Sequence, residues 1–291
     1  ETLGMRGFAL RLPLFVTATA GSRGLSGLSM TGHTTVGTLR VEQFPCRQDN
    51  YGFLVRDEEA GLTAAVDTPD AGAVRALCDK HGWLLTHIFN THHHSDHAGG
   101  NLELKERYGC TIVAAESDRH RIPGIDVGVA GGASFQFGST EVHVLDVPGH
   151  TKGHVAFFMP SEGMCFVGDA LFVLGCGRLF EGTAAQAKAS VEKLAALPPD
   201  TLIFCAHEYT QTNARYALTV DPDNEALVKR AAEIDAARAE GIPTVPTTVR
   251  LELETNPFLR SGSQTIRETL KMGGASDLDV FAELRKRRDK W

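Results

Sequence analysis

The sequence predicts an α/β fold followed by a smaller α-helical domain, and two patterns support this. Between about residues 38 and 208, short apolar or alternating runs typical of strands are separated by amphipathic helical patterns. Beyond about residue 209 the pattern changes to helices with recognisable capping residues. At 291 residues and 42% hydrophobic composition, the chain can bury a full core and is expected to form two domains.

The N-terminal extension, residues 1–37, precedes the first predicted strand and differs from the remainder in composition. Its charged residues are Glu1, Arg6, Arg11 and Arg23, within a segment rich in Ser, Thr and Gly. This composition resembles a mitochondrial transit peptide; a secretory signal, a disordered extension and a misassigned start upstream of Met30 are the alternatives. We therefore expect a mitochondrial or cytoplasmic protein. No run of about 18 apolar residues occurs, so no membrane partner is expected.

Strand patterns in the α/β domain begin at Leu39 to Phe44 and Tyr51 to Val55, and Ala71 to His81 is typical of a helix between strands. Three later strand patterns share a further property, since each ends close to a residue type that binds metals. They are Val142 to Val147, followed by His150; Met164 to Val167, followed by Asp169; and Leu202 to Ala206, followed by His207. Rigid strands bring the side chains at their ends together, so we expect these three residues to converge.

Capping residues mark the predicted helices. Thr183 and Gln186 have the spacing of a capping box, which begins a helix that runs to about Leu197 and stops at two prolines. In the helical domain, residues 224–240 form an amphipathic pattern closed by Gly241. Ser276 is placed to cap a last helix over about residues 277–290.

The segment from Thr91 to His97 contains a concentrated set of potential metal ligands: His92, His94, Asp96 and His97. On a helix, residues two apart diverge by about 200° around the axis, so this spacing suits a turn that leaves a strand. One ion could hardly bind all four side chains, which favours two neighbouring ions. Imidazole and carboxylate together suit zinc, iron or manganese. The alternative is a polar surface loop that happens to be rich in histidine.

Two ions need further ligands, which the strand ends supply. His150, Asp169 and His207 are the candidates. A carboxylate at Asp169 could bridge both ions and offset their mutual repulsion. The alternative is an ordinary turn residue after Gly168.

In this order, the histidine-rich motif, His150, Asp169 and His207 resemble the metallo-β-lactamase superfamily of binuclear hydrolases. Residues 175–182, 206–210 and 256–260 resemble the glyoxalase II family, the hydroxyacylglutathione hydrolases. The likeness runs from about Thr38 to Trp291. It implies an αβ/βα sandwich as the catalytic domain over residues 38–208, and an α-helical substrate-binding domain over residues 209–291.

The resemblance also implies residue roles at the metal centre. The implied ligands of the first ion are His92, His94 and His150, those of the second are Asp96, His97 and His207, and Asp169 bridges them. Asp96 and Asp169 are thereby implied in catalysis, beside a metal-bridging hydroxide. The cofactors expected are two divalent ions per chain, zinc first, with iron and manganese as alternatives.

The implied glutathione-binding residues are Arg178, Phe180, Tyr209, Arg285 and Arg288. Phe180 stands where some relatives have Tyr, which removes one hydroxyl contact. The implied reaction is hydrolysis of S-D-lactoylglutathione, and of other S-2-hydroxyacylglutathiones, to glutathione and D-lactate in methylglyoxal detoxification. Without the resemblance, Arg285 and Arg288 would be read as basic residues that complement the dipole at a helix C-terminus.

Composition and missing motifs limit the alternatives. A net charge of −7 argues against nucleic acid as a partner, because phosphate binding requires a basic face. Six cysteines without a CxxC pair indicate reduced thiols. No Gly-x-Ser-x-Gly elbow lies near a partner histidine, so an acyl-enzyme route is not supported. We expect a monomer. An iron persulfide dioxygenase, a β-lactamase and a non-catalytic binding module are the other candidate functions.

Two further histidines border the predicted ligands. His93 is expected to bond backbone or neighbouring groups rather than a metal. His154 is expected either to brace the loop that carries His150 or to be an ordinary core histidine.

Overall fold

The computed structural model describes residues 32–291 of the chain. The predicted targeting extension, residues 1–37, therefore lies almost entirely outside the described residues. Among residues 32–291, no helix is long and apolar enough to cross a membrane.

The first sheet is seven-stranded in the described part of the chain, and its strands follow chain order. They are β1 (Gly32–Val36), β2 (Leu39–Cys46), β3 (Asn50–Asp57), β4 (Leu62–Val66), β5 (His87–Phe89), β6 (Thr111–Ala115) and β7 (Val127–Val129). Strands β1 to β4 pair antiparallel through tight turns, and β4 to β7 pair parallel. Parallel neighbours need a crossover, and helices cross over at two of these connections.

Strand β1 lies within the segment that the sequence assigned to the N-terminal extension. Its β-branched residues Thr34, Thr35 and Val36 suit a strand. Gly37 has a φ of 59°, which allows the tight turn that returns the chain into β2. The sheet therefore begins six residues before Thr38, where the sequence predicted the domain to start.

The second sheet is six-stranded in the described residues and receives a strand from the helical region. Its strands are β8 (Ser134–Phe137), β9 (Thr140–Asp146), β10 (Val155–Met159), β11 (Met164–Gly168), β14 (Leu202–Cys205) and β15 (Thr247–Thr248), and β12 (Leu171–Phe172) forms a separate hairpin with β13 (Gly175–Cys176). The order across the sheet is β15-β14-β11-β10-β9-β8. Strand β15 lies in the region that the sequence predicted to be entirely helical, residues 209–291, and it pairs with β14 of the catalytic domain. The two predicted domains therefore share one sheet.

Helices cover the outer faces of the sheets and form most of the C-terminal region. They are α1 (Ala71–His81), α2 (Ser95–Ala98), α3 (Asn101–Tyr108), α4 (Ala184–Ala195), α5 (Thr210–Val220), α6 (Glu225–Ala239), α7 (Val249–Thr255), α8 (Gln264–Leu270) and α9 (Asp277–Arg288). The predicted caps are present, since Thr183 and Ser276 both accept backbone hydrogen bonds in capping boxes. These caps explain why the starts of α4 and α9 were predictable to the residue.

The main core lies between the two sheets. The ring of Phe53 on β3 packs 5.5 Å from the rings of both Phe166 and Phe204 on the facing sheet. On the outer face of the first sheet, Leu54 and Ile88 are buried in a second cluster with residues of α1 and α3. The predicted sandwich of two facing sheets with helices outside is confirmed. The six cysteines are buried and free.

Candidate metal centre and adjoining cleft

The predicted metal ligands lie at the ends of strands along one edge of the sandwich. His92 and the following residues leave β5, and His150 follows β9. Asp169 follows β11 directly, and His207 comes two residues after β14. The strand ends thus bring together residues that are up to 115 positions apart in the sequence.

The first cluster contains three imidazoles. His94 Nδ1 lies 3.0 Å from His92 Nε2 and 3.0 Å from His150 Nε2. One ligand atom from each of the three residues lies within 4.8 Å of the others. These three histidines could therefore hold one ion.

The second cluster contains Asp96, His97 and His207. Asp96 Oδ2 lies 3.6 Å from His97 Nε2 and 3.5 Å from His207 Nε2. Its ligand atoms also fall within 4.8 Å of one another. Ligand atoms of His92, His97 and Asp169 also lie within 4.8 Å of one another, so the two sets that the sequence resemblance implied adjoin each other.

Asp169 lies between the two clusters and presents one oxygen to each. Its Oδ2 is 3.4 Å from His150 Nε2. Its Oδ1 is 3.4 Å from Nε2 of both His97 and His207. This position would allow one carboxylate to contact an ion in each cluster.

The donor set fits divalent ions. His97 Nε2 and Asp169 Oδ1 are buried, and neither has a hydrogen-bond partner among the described residues. A buried polar atom without a partner costs about 1–3 kcal/mol, so two such atoms facing one another favour an ion between them. Imidazole nitrogen and carboxylate oxygen suit zinc, iron or manganese.

Several residues orient these ligands through the ring nitrogen that faces away from the clusters. His97 Nδ1 lies 2.8 Å from Asp67 Oδ2. His150 Nδ1 donates to the carbonyl of Arg178 at 2.8 Å. Because both acceptors lack a proton to give, the Nδ1 atoms carry the hydrogen and the Nε2 lone pairs face the site. The sequence prediction omitted Asp67. The available signal was its position, because Asp67 comes directly after β4, just as Asp169 comes directly after β11.

The charges around His97 raise its basicity when no metal is present. Burial lowers the pKa of His97, but the carboxylates of Asp169 and Asp67 outweigh burial and raise it to about 9. By contrast, burial and the neighbouring imidazoles lower the pKa of His94 to about 4. In the metal-free protein a proton on His97 thus partly compensates the carboxylates, and metal binding must displace it.

His93 and His154 lie outside the ligand clusters. His93 Nδ1 lies 3.3 Å from Asp118 Oδ2, on the side away from the metal centre. His154 Nε2 accepts a hydrogen bond of 3.1 Å from the backbone N–H of Asp169, and its ring stacks on His92 at 4.6 Å. The side chain of His154 therefore supports Asp169 and His92, while its backbone carbonyl accepts from Val147 N–H at the start of the His150 loop.

A cleft of about 380 Å³ opens beside both clusters. Its wall includes every residue predicted to bind substrate: Arg178, Phe180, Tyr209, Arg285 and Arg288. Phe180 is 61% exposed, and its ring centre lies 5.2 Å from that of His150. The ring of Tyr209 stacks on His207 at 4.8 Å. Aromatic side chains thus flank each metal cluster at the mouth of the cleft.

The three arginines of the cleft have different surroundings. Arg285 is only 7% exposed and donates to the carbonyl of Cys176 at 2.6 Å. Arg288 Nη2 donates to Asn213 Oδ1 at 3.2 Å. Burial and the nearby charge of Arg285 lower the pKa of Arg288. Arg178 is the most exposed. The resemblance implied a substrate-binding role for both Arg285 and Arg288, and of the two Arg285 is the one that also donates to a backbone carbonyl.

The segment that carries Arg178 runs directly alongside the loop that carries His150. Phe180 N–H donates to His150 O at 3.2 Å, and Gly182 N–H donates to Gly149 O at 3.0 Å. A Cβ at Gly182 would meet Gly149 Cα at 2.6 Å, so only glycine permits this approach. The substrate-facing and metal-facing loops are therefore joined along their backbones.

Two protein-family models match adjoining parts of the chain. The Metallo-beta-lactamase superfamily model matches residues 79–207, and the Hydroxyacylglutathione hydrolase C-terminus model matches residues 208–291. Among curated proteins, the hydroxyacylglutathione hydrolase of Methylococcus capsulatus is 53% identical over 86% of this chain and 98% of its own length. That of Brucella canis is 52% identical over 88% of this chain and 99% of its own length.

Solved structures with the same architecture are more distant in sequence. ETHE1 from Myxococcus xanthus matches with a TM-score of 0.62 and 24% identity, over 84% of this chain and 89% of that one. TTHA1623, in a di-iron-bound form, matches with a TM-score of 0.52 and 26% identity, over 72% of this chain and 95% of that one. The likeness to ETHE1 shows the fold alone. The curated relatives are more than 50% identical to this chain over nearly their full length. Because of this identity, the chain belongs to the hydroxyacylglutathione hydrolases, also called glyoxalase II, of the metallo-β-lactamase superfamily.

Proposed function

We propose that this chain hydrolyses the thioester of S-D-lactoylglutathione, and of other S-2-hydroxyacylglutathiones, to glutathione and D-lactate. One observation carries the proposal, namely that the metal-ligand clusters and three arginines open into the same cleft. A centre that can hydrolyse an acyl bond thus faces a cationic wall that suits the carboxylates of a glutathione peptide. The names of the curated relatives support the same substrate class.

We propose that two divalent ions occupy the centre, one in each cluster, with Asp169 between them. Zinc is the first candidate; iron is supported by the di-iron form of TTHA1623, and manganese suits the same donors. When bound, such ions supply a water that loses its proton near neutral pH and positive charge for the oxyanion of the thioester carbonyl.

The protein's own residues have three tasks in this reaction. Asp96 and Asp169 supply the negative charge that keeps two dications close together. His150 Nδ1 keeps its hydrogen and donates it to the Arg178 carbonyl, which leaves the Nε2 lone pair facing the centre. Arg178 and Arg288 bind the peptide end of the substrate, and Phe180, Tyr209 and Arg285 line the same cleft against it. A thiolate is a good leaving group, so no additional strong acid is required.

The extent of the domains and the partners are part of the proposal. A division at residue 208 is supported by the two family models, which meet between residues 207 and 208. The position of β1 favours a catalytic domain that starts at residue 32 rather than 38. We propose that the chain acts as a monomer in mitochondria or the cytoplasm, and its net charge of −7 supports the absence of a nucleic-acid partner.

Parallel assays separate this function from its alternatives. The purified protein is given S-D-lactoylglutathione, glutathione persulfide and a β-lactam, while thioester loss, oxygen uptake and ring opening are followed. We expect turnover of the thioester alone, and its loss on treatment with a chelator. Oxygen uptake with the persulfide, without thioester loss, would instead establish a dioxygenase. The Asp200→Ala variant is the matched control, because Asp200 is 88% exposed, pairs with Arg250 and does not line the cleft.

A further inference from the structure

The end of the turn between β2 and β3 and the first residues of β3 reach the metal centre. These residues, Asp49, Asn50 and Tyr51, are here called the 49–51 turn, and they pair with the segment that carries His207. Asn50 forms an antiparallel bridge with His207, and Tyr51 N–H donates to Ala206 O at 2.8 Å. The backbone of the turn is therefore attached to the strand end that delivers one predicted metal ligand.

The Asp49 side chain determines which nitrogen of His207 is free. His207 Nδ1 lies 2.9 Å from Asp49 Oδ1. A carboxylate only accepts, so Nδ1 carries the hydrogen and Nε2 presents its lone pair to Asp96 and Asp169. Without this acceptor the ring could adopt the other tautomer or rotate.

The Asn50 side chain contacts the other ligand of the same cluster. It is 5% exposed, and its Nδ2 donates to Asp96 Oδ2 at 3.3 Å and to Asp96 O at 3.4 Å. The same nitrogen lies 3.4 Å from His207 Nε2. Asn50 therefore restrains the carboxylate of Asp96 where it faces His97 and His207.

The two clusters differ in how their histidines are oriented. In the first cluster, His150 donates to a neutral backbone carbonyl. In the second, His97 and His207 each face a carboxylate, from Asp67 and Asp49 respectively. A carboxylate partner increases the electron donation of an imidazole to a metal, so the second cluster depends more on its orienting residues.

We propose that Asp49 and Asn50 are positioning residues that set the affinity of the second cluster, Asp96, His97 and His207, for its divalent ion. The proposal rests on the part of the proposed function that assigns one ion to each cluster. It concerns residues that precede every motif of the family resemblance.

The test measures zinc binding rather than turnover. Metal-free protein is titrated with zinc against a chromophoric chelator, which gives the two stepwise dissociation constants. We expect Asp49→Ala to weaken one step by about 10- to 100-fold and to leave the other unchanged. Asn50→Ala should weaken the same step. His207→Ala removes a ligand of the second cluster itself and so marks which step belongs to that cluster.

Two further variants separate positioning from folding. Asp49→Asn keeps an acceptor for His207 but not the negative charge, so it should restore part of the lost affinity. Asp200→Ala, a surface control, should change neither constant. The melting temperature of each metal-free variant should stay close to that of the parent, because the backbone contacts of the 49–51 turn remain.

Three results would overturn the proposal: unchanged constants in Asp49→Ala, equal weakening of both steps, or a parent protein that binds no zinc. A loss of affinity matched by a large fall in the melting temperature of the metal-free variant, without rescue by Asp49→Asn, also counts against it. Failure of the proposed hydrolysis is distinguishable, since it would leave both zinc constants of the parent intact while thioester turnover is absent.

Discussion

Replacing Arg288 with alanine tests whether the cationic cleft binds the glutathione peptide. Arg288 is half-buried, its guanidinium lies on the neutral oxygen of Asn213, and burial lowers its pKa. Arg285 beside it is engaged with the Cys176 carbonyl and Asp289. The three arginines of the described cleft thus differ in their partners. Arg178 and Arg285 both contact the carboxylate of Asp289, whereas the hydrogen bonds of Arg288 go to the neutral amide of Asn213. A carboxylate from the substrate would supply the missing counter-charge.

A hydrogen bond to a charged group contributes about 1.5–3 kcal/mol, which corresponds to about 10- to 150-fold in binding. We therefore expect Arg288→Ala to raise KM for lactoylglutathione by a factor in this range, while kcat and metal content change little. A small thioester without the glutathione peptide should be hydrolysed equally by the variant and the parent. Equal loss of activity on both substrates would refute the assignment, because it would mean that Arg288 supports the fold or the metal centre.

Three other expectations follow from the site. Asp169→Ala should lower metal content and reduce kcat by several orders of magnitude, measured by elemental analysis and thioester turnover; near-normal turnover with two ions would make this Asp a turn residue. Arg285→Ala should lower the free energy of unfolding by about 1–3 kcal/mol in denaturant titrations, because the buried Cys176 carbonyl loses its donor. The pKa of His97 is about 9 in the folded, metal-free protein, above the unfolded value of about 6.5. Protonation of His97 therefore stabilises the fold fully below pH 6.5, and this contribution disappears as the pH rises through 9. The melting temperature in chelator should therefore fall between pH 6.5 and 9, and a flat profile would contradict this.

The convergence of the candidate ligands was largely predictable because they follow strand patterns. His150, Asp169 and His207 each come at or shortly after the end of such a run, and strands with this pattern end at a common edge of a sheet. The starts of α4 and α9 were predictable for a similar local reason, since Thr183 and Ser276 carry their capping signals within a few residues.

The features that escaped prediction depend on contacts between distant residues. Strand β15 contains only Thr247 and Thr248, too few residues to show any periodicity, and it exists because Ile203 and Leu202 on β14 offer an open edge. Asp49 lies in a turn whose local sequence carries no ligand pattern. The burial of Arg285 results from the packing of α9 against the Cys176 hairpin, which no local pattern of basic residues reveals.

The backbone contact between Arg178 and His150 separates the orientation of His150 from the identity of the side chain at position 178. The carbonyl that orients His150 belongs to every amino acid, so it does not depend on which side chain stands at position 178. The guanidinium at that position lines the cleft. If Arg178 binds substrate as proposed, a replacement at residue 178 is expected to alter substrate preference while the hydrogen bond that orients His150 is kept.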